Sequence, residues 1–251
     1  MAGKATVERI GERARFLPVG DTAFAVEFGD RIDPAINARV HRTAALLADA
    51  SPEGLVETVP SFRSLLVHYD PLRTCAPTLQ ALIGALELDD DAGAGPARIW
   101  RIPVLYGGPS GPDLAEAAAA TGLAEAEVAA LHAGKLYRVY VQGFLPGFAY
   151  LGDLPAPLDL PRRASPRVRV PAGSVAIAQR MTGIYPVESP GGWHLIGHTP
   201  LRFFDAGKAP PTLFAPGDGV RFVPVEADAH AVIAEAVAQG RYTPELEGTP
   251  A

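Results

Sequence analysis

Residues 143–205 read GFLPGFAYLGDLPAPLDLPRRASPRVRVPAGSVAIAQRMTGIYPVESPGGWHLIGHTPLRFFD. Apolar and aromatic residues come in short runs that each end at a Pro or Gly, and no helical period persists. This pattern predicts short strands joined by tight turns. Because the same segment concentrates arginines, tyrosines and histidines that could hold a small polar ligand, we expect it to form the functional site.

The composition of the chain is that of a soluble globular protein. Its 251 residues are 48% hydrophobic and 20% charged, and the formal charge of -6 argues against nucleic acid or an anionic membrane as main partner. No run approaches the roughly 20 apolar residues that span a bilayer, and the N-terminus lacks the apolar core of a secretory signal. The single cysteine excludes an internal disulfide framework and a multi-cysteine zinc site. We therefore expect a cytoplasmic location.

The first 90 residues predict a small α/β domain. Strands are expected over residues 15–28, as a hairpin or two short strands, and over residues 55–60 and 64–69. Asp33-Pro34 is an N-cap followed by proline at the first helical position, and Pro77 opens a second helix with apolar residues at i, i+3, i+4 and i+7. Residues 89–97, DDDAGAGPA, then predict a domain boundary.

Residues 98–240 predict a second domain made mostly of strands. One helix is expected to begin at Gly111-Pro112-Asp113 and to end at Gly122. A second is expected over residues 124–133, where His132 in the last turn suits the helix dipole. Asp228 is expected to cap a last helix, and residues 241–251 to form a flexible tail. Short strands, including residues 201–204, with Gly or Pro at most corners predict a closed or half-closed barrel, so the fold class is α+β.

The polar side chains of the central segment leave two interpretations open. Arg167 and Arg169 alternate along a predicted strand and so share a face, close in sequence to Arg162 and Arg163. The four could be a solvated face with ion pairs, or an anion pocket for a carboxylate or phosphate.

Three common chemistries are not supported by the motifs. His194 and His198 are four apart, but prolines and glycines around them exclude a helical zinc motif, so no metal is expected. The stretch GFLPGF at residues 143–148 lacks the Lys-Ser/Thr of a phosphate loop and predicts a rigid turn that presents two aromatic rings. Ser174 and Cys75 lack the context of a nucleophile.

Several motifs nevertheless occur together in an order that resembles a known family. They are VLYGGPSGPD (104–113), GFLPGFAYLG (143–152), PRR (161–163), PR (166–167), VPAGSV (170–175), TGIYP (182–186), SPGGWHLIGHTP (189–200), FD (204–205) and the segment 216–224. This set resembles the B subunit of bacterial ATP-dependent 5-oxoprolinase, the PxpB/KipI family. The family includes the first subunit of allophanate hydrolase and part of the carboxyltransferase domain of urea carboxylase.

The resemblance implies a small α/β N-terminal domain followed by a cyclophilin-like β-barrel domain with inserted helices. It implies an amide hydrolase subunit that is inactive alone and that cleaves 5-oxo-L-proline to glutamate with A and C subunits. The complex would use ATP, with the ATP-binding subunit unknown, and the C subunit would belong to the KipA family. One relative instead inhibits a sensor histidine kinase, so a regulator that binds a kinase is the alternative, as is a subunit of an allophanate hydrolase or urea carboxylase system.

The resemblance also implies site residues. Those with an expected catalytic role are Arg162, Arg163 and Tyr185, and those expected to bind substrate or a partner are Phe144, Pro146, Gly147, Tyr150, Gly192, Trp193 and His194. The Gly and Pro members could instead only shape turns.

The chain departs from the family pattern at two places. Ala149 stands where the family has Pro, and Gln179-Arg180-Met181 replaces Gly-Gly-x-Gln. The second departure is expected to lie beside the pocket and so to bear on the substrate.

Overall fold

The structure, a computed structural model, describes residues 7–9, 14–89, 96 and 98–247. The chain folds into two compact units, residues 1–95 and 96–251. Among the described residues, no helix combines the length and the apolar composition that crossing a bilayer requires.

The first unit is a four-stranded antiparallel sheet with two helices. Its elements are β1 (Val7–Arg9), β2 (Arg15–Pro18), β3 (Ala23–Glu27), α1 (Pro34–Ala50), β4 (Leu55–Pro60), β5 (Ser64–Tyr69), α2 (Ala76–Ala85) and β6 (Glu87–Asp89). The sheet order is β2-β3-β5-β4, and β1 pairs with β6. Apolar residues of β3, β5 and both helices form one core. The predicted hairpin, the 55–60 and 64–69 strands and both helices are confirmed.

The start of α1 follows from its sequence. The Asp33 carboxylate accepts hydrogen bonds from the N–H groups of Ala35 and Ile36, and Pro34 occupies the first turn. These N–H groups have no partner inside the helix, so the cap satisfies them. The predicted N-cap is confirmed.

The second unit is built around a closed barrel. Its elements are β7 (Ile99–Tyr106), α3 (Leu114–Thr121), α4 (Glu125–Ala133), β8 (Leu136–Gln142), β9 (Ala149–Gly152), β10 (Arg167–Val170), β11 (Ser174–Ala178), β12 (Met181–Ile184), β13 (Ser189–Gly191), β14 (His194–His198), β15 (Gly219–Pro224), α5 (Ala227–Ala238) and β16 (Glu245–Glu247). Seven strands, in the order β14-β11-β12-β9-β8-β15-β7, close through pairing of β7 with β14. The predicted α+β class, with a barrel and inserted helices, is confirmed.

Two smaller features of this unit matter for the site. Strands β10 and β13 form a separate antiparallel ribbon beside the barrel. The turn between β11 and β12 consists of Gln179 and Arg180, which both have positive φ, 49° and 63°. This region favours glycine, so the turn holds two strained residues.

His132 does not have the predicted role at the helix dipole. It is fully buried between the barrel and α4, where its ring contacts those of Tyr137 and Phe222. Burial lowers the pKa of His132 to about 3, so the imidazole is neutral at pH 7 and carries no charge for the dipole to stabilise.

Three predictions for the C-terminal part were wrong. Residues 201–204 form only an isolated bridge between Phe204 and Thr212, because prolines before and opposite this segment cannot donate to a ladder. Helix α5 begins after Glu226, so Asp228 lies in its first turn instead of capping it. Part of the expected tail, β16, is ordered because it pairs with β7 and its Glu247 forms an ion pair with Arg221.

Candidate functional site

A cavity of about 320 Å³ opens beside the β10–β13 ribbon. Its lining residues are Phe144, Phe148, Tyr150, Arg162, Arg163, Pro166, Tyr185, Pro190, Gly191, Gly192 and Trp193. Seven of the ten predicted site residues therefore meet in one place, and Pro146, Gly147 and His194 do not line it. Sequence reasoning missed Phe148, Pro166, Pro190 and Gly191, although all four lie within or next to the motifs that it used.

Phe148 is the centre of the aromatic wall. Its ring makes edge-to-face contacts with Phe144, Tyr150, Tyr185 and Trp193, at centroid distances of 5.7, 5.0, 5.3 and 5.7 Å. The side chain is buried within a core cluster that also contains Tyr185 and Trp193. Edge-to-face pairs fix ring orientation, so the cavity has a rigid apolar wall.

The turn before Phe148 presents the aromatic residues as predicted. Phe144 is 62% exposed and has a φ of 70°. Gly147 has a φ of 81°, and a Cβ there would lie 2.8 Å from the Phe203 carbonyl oxygen. Gly147 is thus required by the backbone, and Pro146 is exposed outside the cavity. For these two residues, shaping the turn is the role that the geometry supports.

Two of the clustered arginines are neutralised by Asp113 and Glu116 together. Arg167 donates two hydrogen bonds to the Asp113 carboxylate, at 2.7 and 2.5 Å, and Arg163 donates one at 3.0 Å. Arg163 also pairs with Glu116 at 2.6 Å. Burial alone would raise the pKa of Asp113, but the hydrogen bonds from Arg167 and the Leu195 N–H outweigh it and lower the pKa. Asp113 is therefore a buried carboxylate anion that holds the arginine segment against the barrel.

Arg169 does not line the cavity. It donates two hydrogen bonds to Glu188, at 2.9 and 2.7 Å, and both side chains are exposed. For Arg163, Arg167 and Arg169 the structure thus matches the ion-pair interpretation of the cluster.

Arg162 is the exception in this cluster. It lines the cavity and is exposed, and within the described residues it has no hydrogen-bond or ion-pair partner. Burial raises the pKa of Tyr150 and of Tyr185, and the positive charge of Arg162 opposes that rise in both. Both phenols stay protonated at neutral pH. The cavity therefore combines one uncompensated cation with the hydroxyl of Tyr185. This hydroxyl accepts from the backbone N–H of Trp193 and keeps its proton for a ligand.

His194 lies behind the cavity wall. Its Nε2 is 2.9 Å from the Pro161 carbonyl oxygen, and its buried Nδ1 has no partner among the described residues. Because the carbonyl can only accept, Nε2 carries the proton. His194 thereby fixes the residue that precedes Arg162. Within the described ranges, no group of three or more His, Cys, Asp or Glu side chains could hold a metal ion.

Two adjacent glycines of the cavity lining, Gly191 and Gly192, differ in the space that a side chain would have there. A Cβ on Gly191 would lie 2.3 Å from the Tyr185 hydroxyl oxygen, whereas a Cβ on Gly192 would make an ordinary contact of 3.6 Å with Pro166. The position of Tyr185 thus depends on the missing side chain at Gly191.

Comparisons with known proteins agree on one family. The family model of the carboxyltransferase domain, subdomain C and D, matches residues 14–214. The chain is 44% identical to the 5-oxoprolinase B subunit of Escherichia coli O157:H7, over 85% of this chain and 97% of the relative. It is 39% identical to the 5-oxoprolinase B subunit of Bacillus subtilis strain 168, over 87% and 96%. Among solved structures it is similar to TTHA0988, with 40% identity and a TM-score of 0.74, and the match covers 82% of this chain but only 40% of that one.

Proposed function

The chain belongs to the family of 5-oxoprolinase B subunits, and we propose that it is a non-autonomous subunit of an ATP-dependent 5-oxoprolinase. In this proposal the complete enzyme cleaves 5-oxo-L-proline to L-glutamate, and the other components are an A subunit and a C subunit of the KipA family. A cytoplasmic location remains part of the proposal.

The observation that carries the proposal is the cavity with aromatic walls and one uncompensated guanidinium. 5-Oxoproline is a five-membered lactam ring with a single carboxylate. A flat ring packs against the edges and faces of aromatic side chains, and a carboxylate forms charge-assisted hydrogen bonds with an arginine. The volume of about 320 Å³ is at the small end of ligand pockets, as expected for a substrate of this size.

Specific roles follow for two residues of the cavity. Arg162 would bind the substrate carboxylate, because Arg163 already carries two carboxylate partners. The Tyr185 hydroxyl would donate to the lactam carbonyl oxygen, which gains negative charge when the ring opens. We therefore propose Arg162 and Tyr185 as the substrate-contacting pair, and Arg163 as part of the wall.

ATP is assigned to the complete complex, and the subunit that binds it is left open. The turn at Gly143–Gly147 leads into the strand β9 and not into a helix, so it does not form the helix N-terminus that cradles a phosphate. Its exposed group is the Phe144 ring, which offers no donor to a phosphate. The proposal therefore leaves the binding of ATP to the assembled enzyme.

The test is 5-oxoproline-dependent ATP hydrolysis, measured with this chain alone and then with its A and C subunits. We expect activity only in the complete mixture. Assembly of all three subunits without 5-oxoproline-dependent hydrolysis would overturn the proposed substrate. Full activity of A and C without this chain would overturn its role as a required subunit.

A further inference from the structure

The carboxylates around Arg163 have a consequence for selectivity between substrate and product. Two arginines line the cavity, Arg162 and Arg163, but only Arg163 is held by Asp113 and Glu116. Arg167, next in the cluster, is held by the same Asp113. The fourth arginine of the cluster, Arg169, pairs with Glu188. The charge that the cavity offers to a ligand is therefore one cation, although four arginines lie in the cluster.

Opening of the lactam doubles the number of carboxylates on the ligand. 5-Oxoproline has one carboxylate, whereas glutamate has that one, a second that derives from the ring carbonyl, and an ammonium group that derives from the lactam nitrogen. A carboxylate that leaves water without a cationic partner loses solvation that nothing replaces. In a cavity with one free guanidinium, the protein compensates the first carboxylate and offers no cation to the second.

We propose that Asp113 and Glu116 are specificity-determining positioning residues that keep the cavity selective for a cyclic monocarboxylate over an open-chain dicarboxylate. They do so by occupying Arg163, which would otherwise bind the second carboxylate and retain the product. This inference rests on the proposed function for the identity of substrate and product. The selectivity between ligand classes can be tested without it.

The test uses the full chain and two probes, cyclopentanecarboxylate and glutarate, whose binding is followed by tryptophan fluorescence because Trp193 lines the cavity. The first variant is Glu116→Gln, since the Glu116 side chain is 57% exposed and its removal does not threaten folding. The second is Asp113→Asn, which keeps an oxygen acceptor for the Leu195 N–H.

We expect the wild type to prefer cyclopentanecarboxylate. The affinity ratio of glutarate to cyclopentanecarboxylate should rise about threefold in Glu116→Gln, as for a partly exposed ion pair. In Asp113→Asn it should rise by up to about tenfold, because two guanidinium groups are released.

Matched controls separate charge compensation from folding. Glu53→Gln removes an exposed partner of Arg73 in the first unit, and Asp218→Asn removes a buried partner of Arg98 that does not line the cavity. Neither should change the ratio. An unchanged ratio in both cavity variants would overturn the inference, as would an equal loss of affinity for both probes or a wild type that binds neither.

In the complete enzyme the same variants should lower the ratio of the glutamate inhibition constant to the 5-oxoproline KM. A shifted probe ratio in a mixture without 5-oxoproline-dependent hydrolysis would refute the proposed function and leave the selectivity inference standing. An active enzyme in which neither the probe ratio nor the ratio of inhibition constant to KM shifts would refute the selectivity inference and leave the proposed function standing.

Discussion

The buried histidine of the barrel unit makes its stability sensitive to mild acid. His132 Nδ1 lies 2.7 Å from the Tyr106 hydroxyl, and its Nε2 lies 2.8 Å from Thr182 Oγ1. Because Thr182 donates its own proton to the Ala176 carbonyl, it accepts from His132, so the proton is on Nε2 and Nδ1 accepts from Tyr106. The neutral imidazole uses both nitrogens, and a second proton would leave two donors facing each other.

The size of the effect follows from the pKa difference. Burial lowers the pKa of His132 to about 3 from the ordinary value of 6.5. Since the folded pKa is below the unfolded one, the stabilisation is complete above pH 6.5 and is lost as the pH falls from 6.5 towards 3. Between pH 7 and pH 5 the loss is about 2 kcal/mol, at about 1.4 kcal/mol per pH unit below the unfolded pKa.

The assay is urea unfolding at pH 7 and pH 5, followed by tryptophan fluorescence. Both tryptophans, Trp100 and Trp193, lie in the unit formed by residues 96–251, so the signal reports on the barrel. His132→Gln keeps a donor and an acceptor but does not titrate in this range. The free energy of unfolding should fall by about 2 kcal/mol more in the wild type than in this variant. Equal losses of unfolding free energy in the wild type and in His132→Gln would refute the argument. His198 and His230 also have lowered pKa values, but they contribute to the loss in both proteins.

Three further predictions concern the cavity and a turn. Gly191→Ala should raise the KM for 5-oxoproline in the complete enzyme by about tenfold or more, because the new methyl group displaces Tyr185, and Gly192→Ala should raise it less. Arg162→Ala should abolish turnover with an unchanged unfolding transition, and unchanged kinetics would remove Arg162 from the site. Replacing both residues of the β11–β12 turn by glycine should raise the free energy of unfolding by about 1–2 kcal/mol in the same fluorescence assay, without changing the KM. A variant less stable than the wild type would contradict the claim that Gln179 and Arg180 are strained.

The parts of the fold that the sequence predicts correctly are those with local signals. Asp33-Pro34 and Gly122 mark helix ends through caps and a left-handed residue, and both lie where expected. Among the strands of the barrel and the ribbon, β9, β12 and β13 were not predicted. Three of the four residues of β12 are buried, so it lacks the alternation that marks a half-buried strand, and β13 is the tripeptide Ser189–Gly191.

Most residues of the cavity could be predicted from motifs, but which of the arginines form ion pairs could not. Asp113 lies 50 and 54 residues before Arg163 and Arg167, and it precedes a helix, where its spacing indicates only a cap. Its contact with the arginines depends on how the barrel folds and has no local sequence signal. For the same reason the sequence leaves open which arginine is free, whereas the ion pairs single out Arg162.

The two departures from the family pattern bear on stability rather than on substrate. Gln179 and Arg180 were expected beside the pocket, but neither lines it. They form the β11–β12 turn, where glycine would adopt the same positive φ without strain. Ala149 is buried in β9, with its side chain away from the cavity lining. Because both departures fall on the barrel frame, and the motif residues of the wall are retained, these departures supply no reason to assign a ligand other than the cyclic monocarboxylate that we propose.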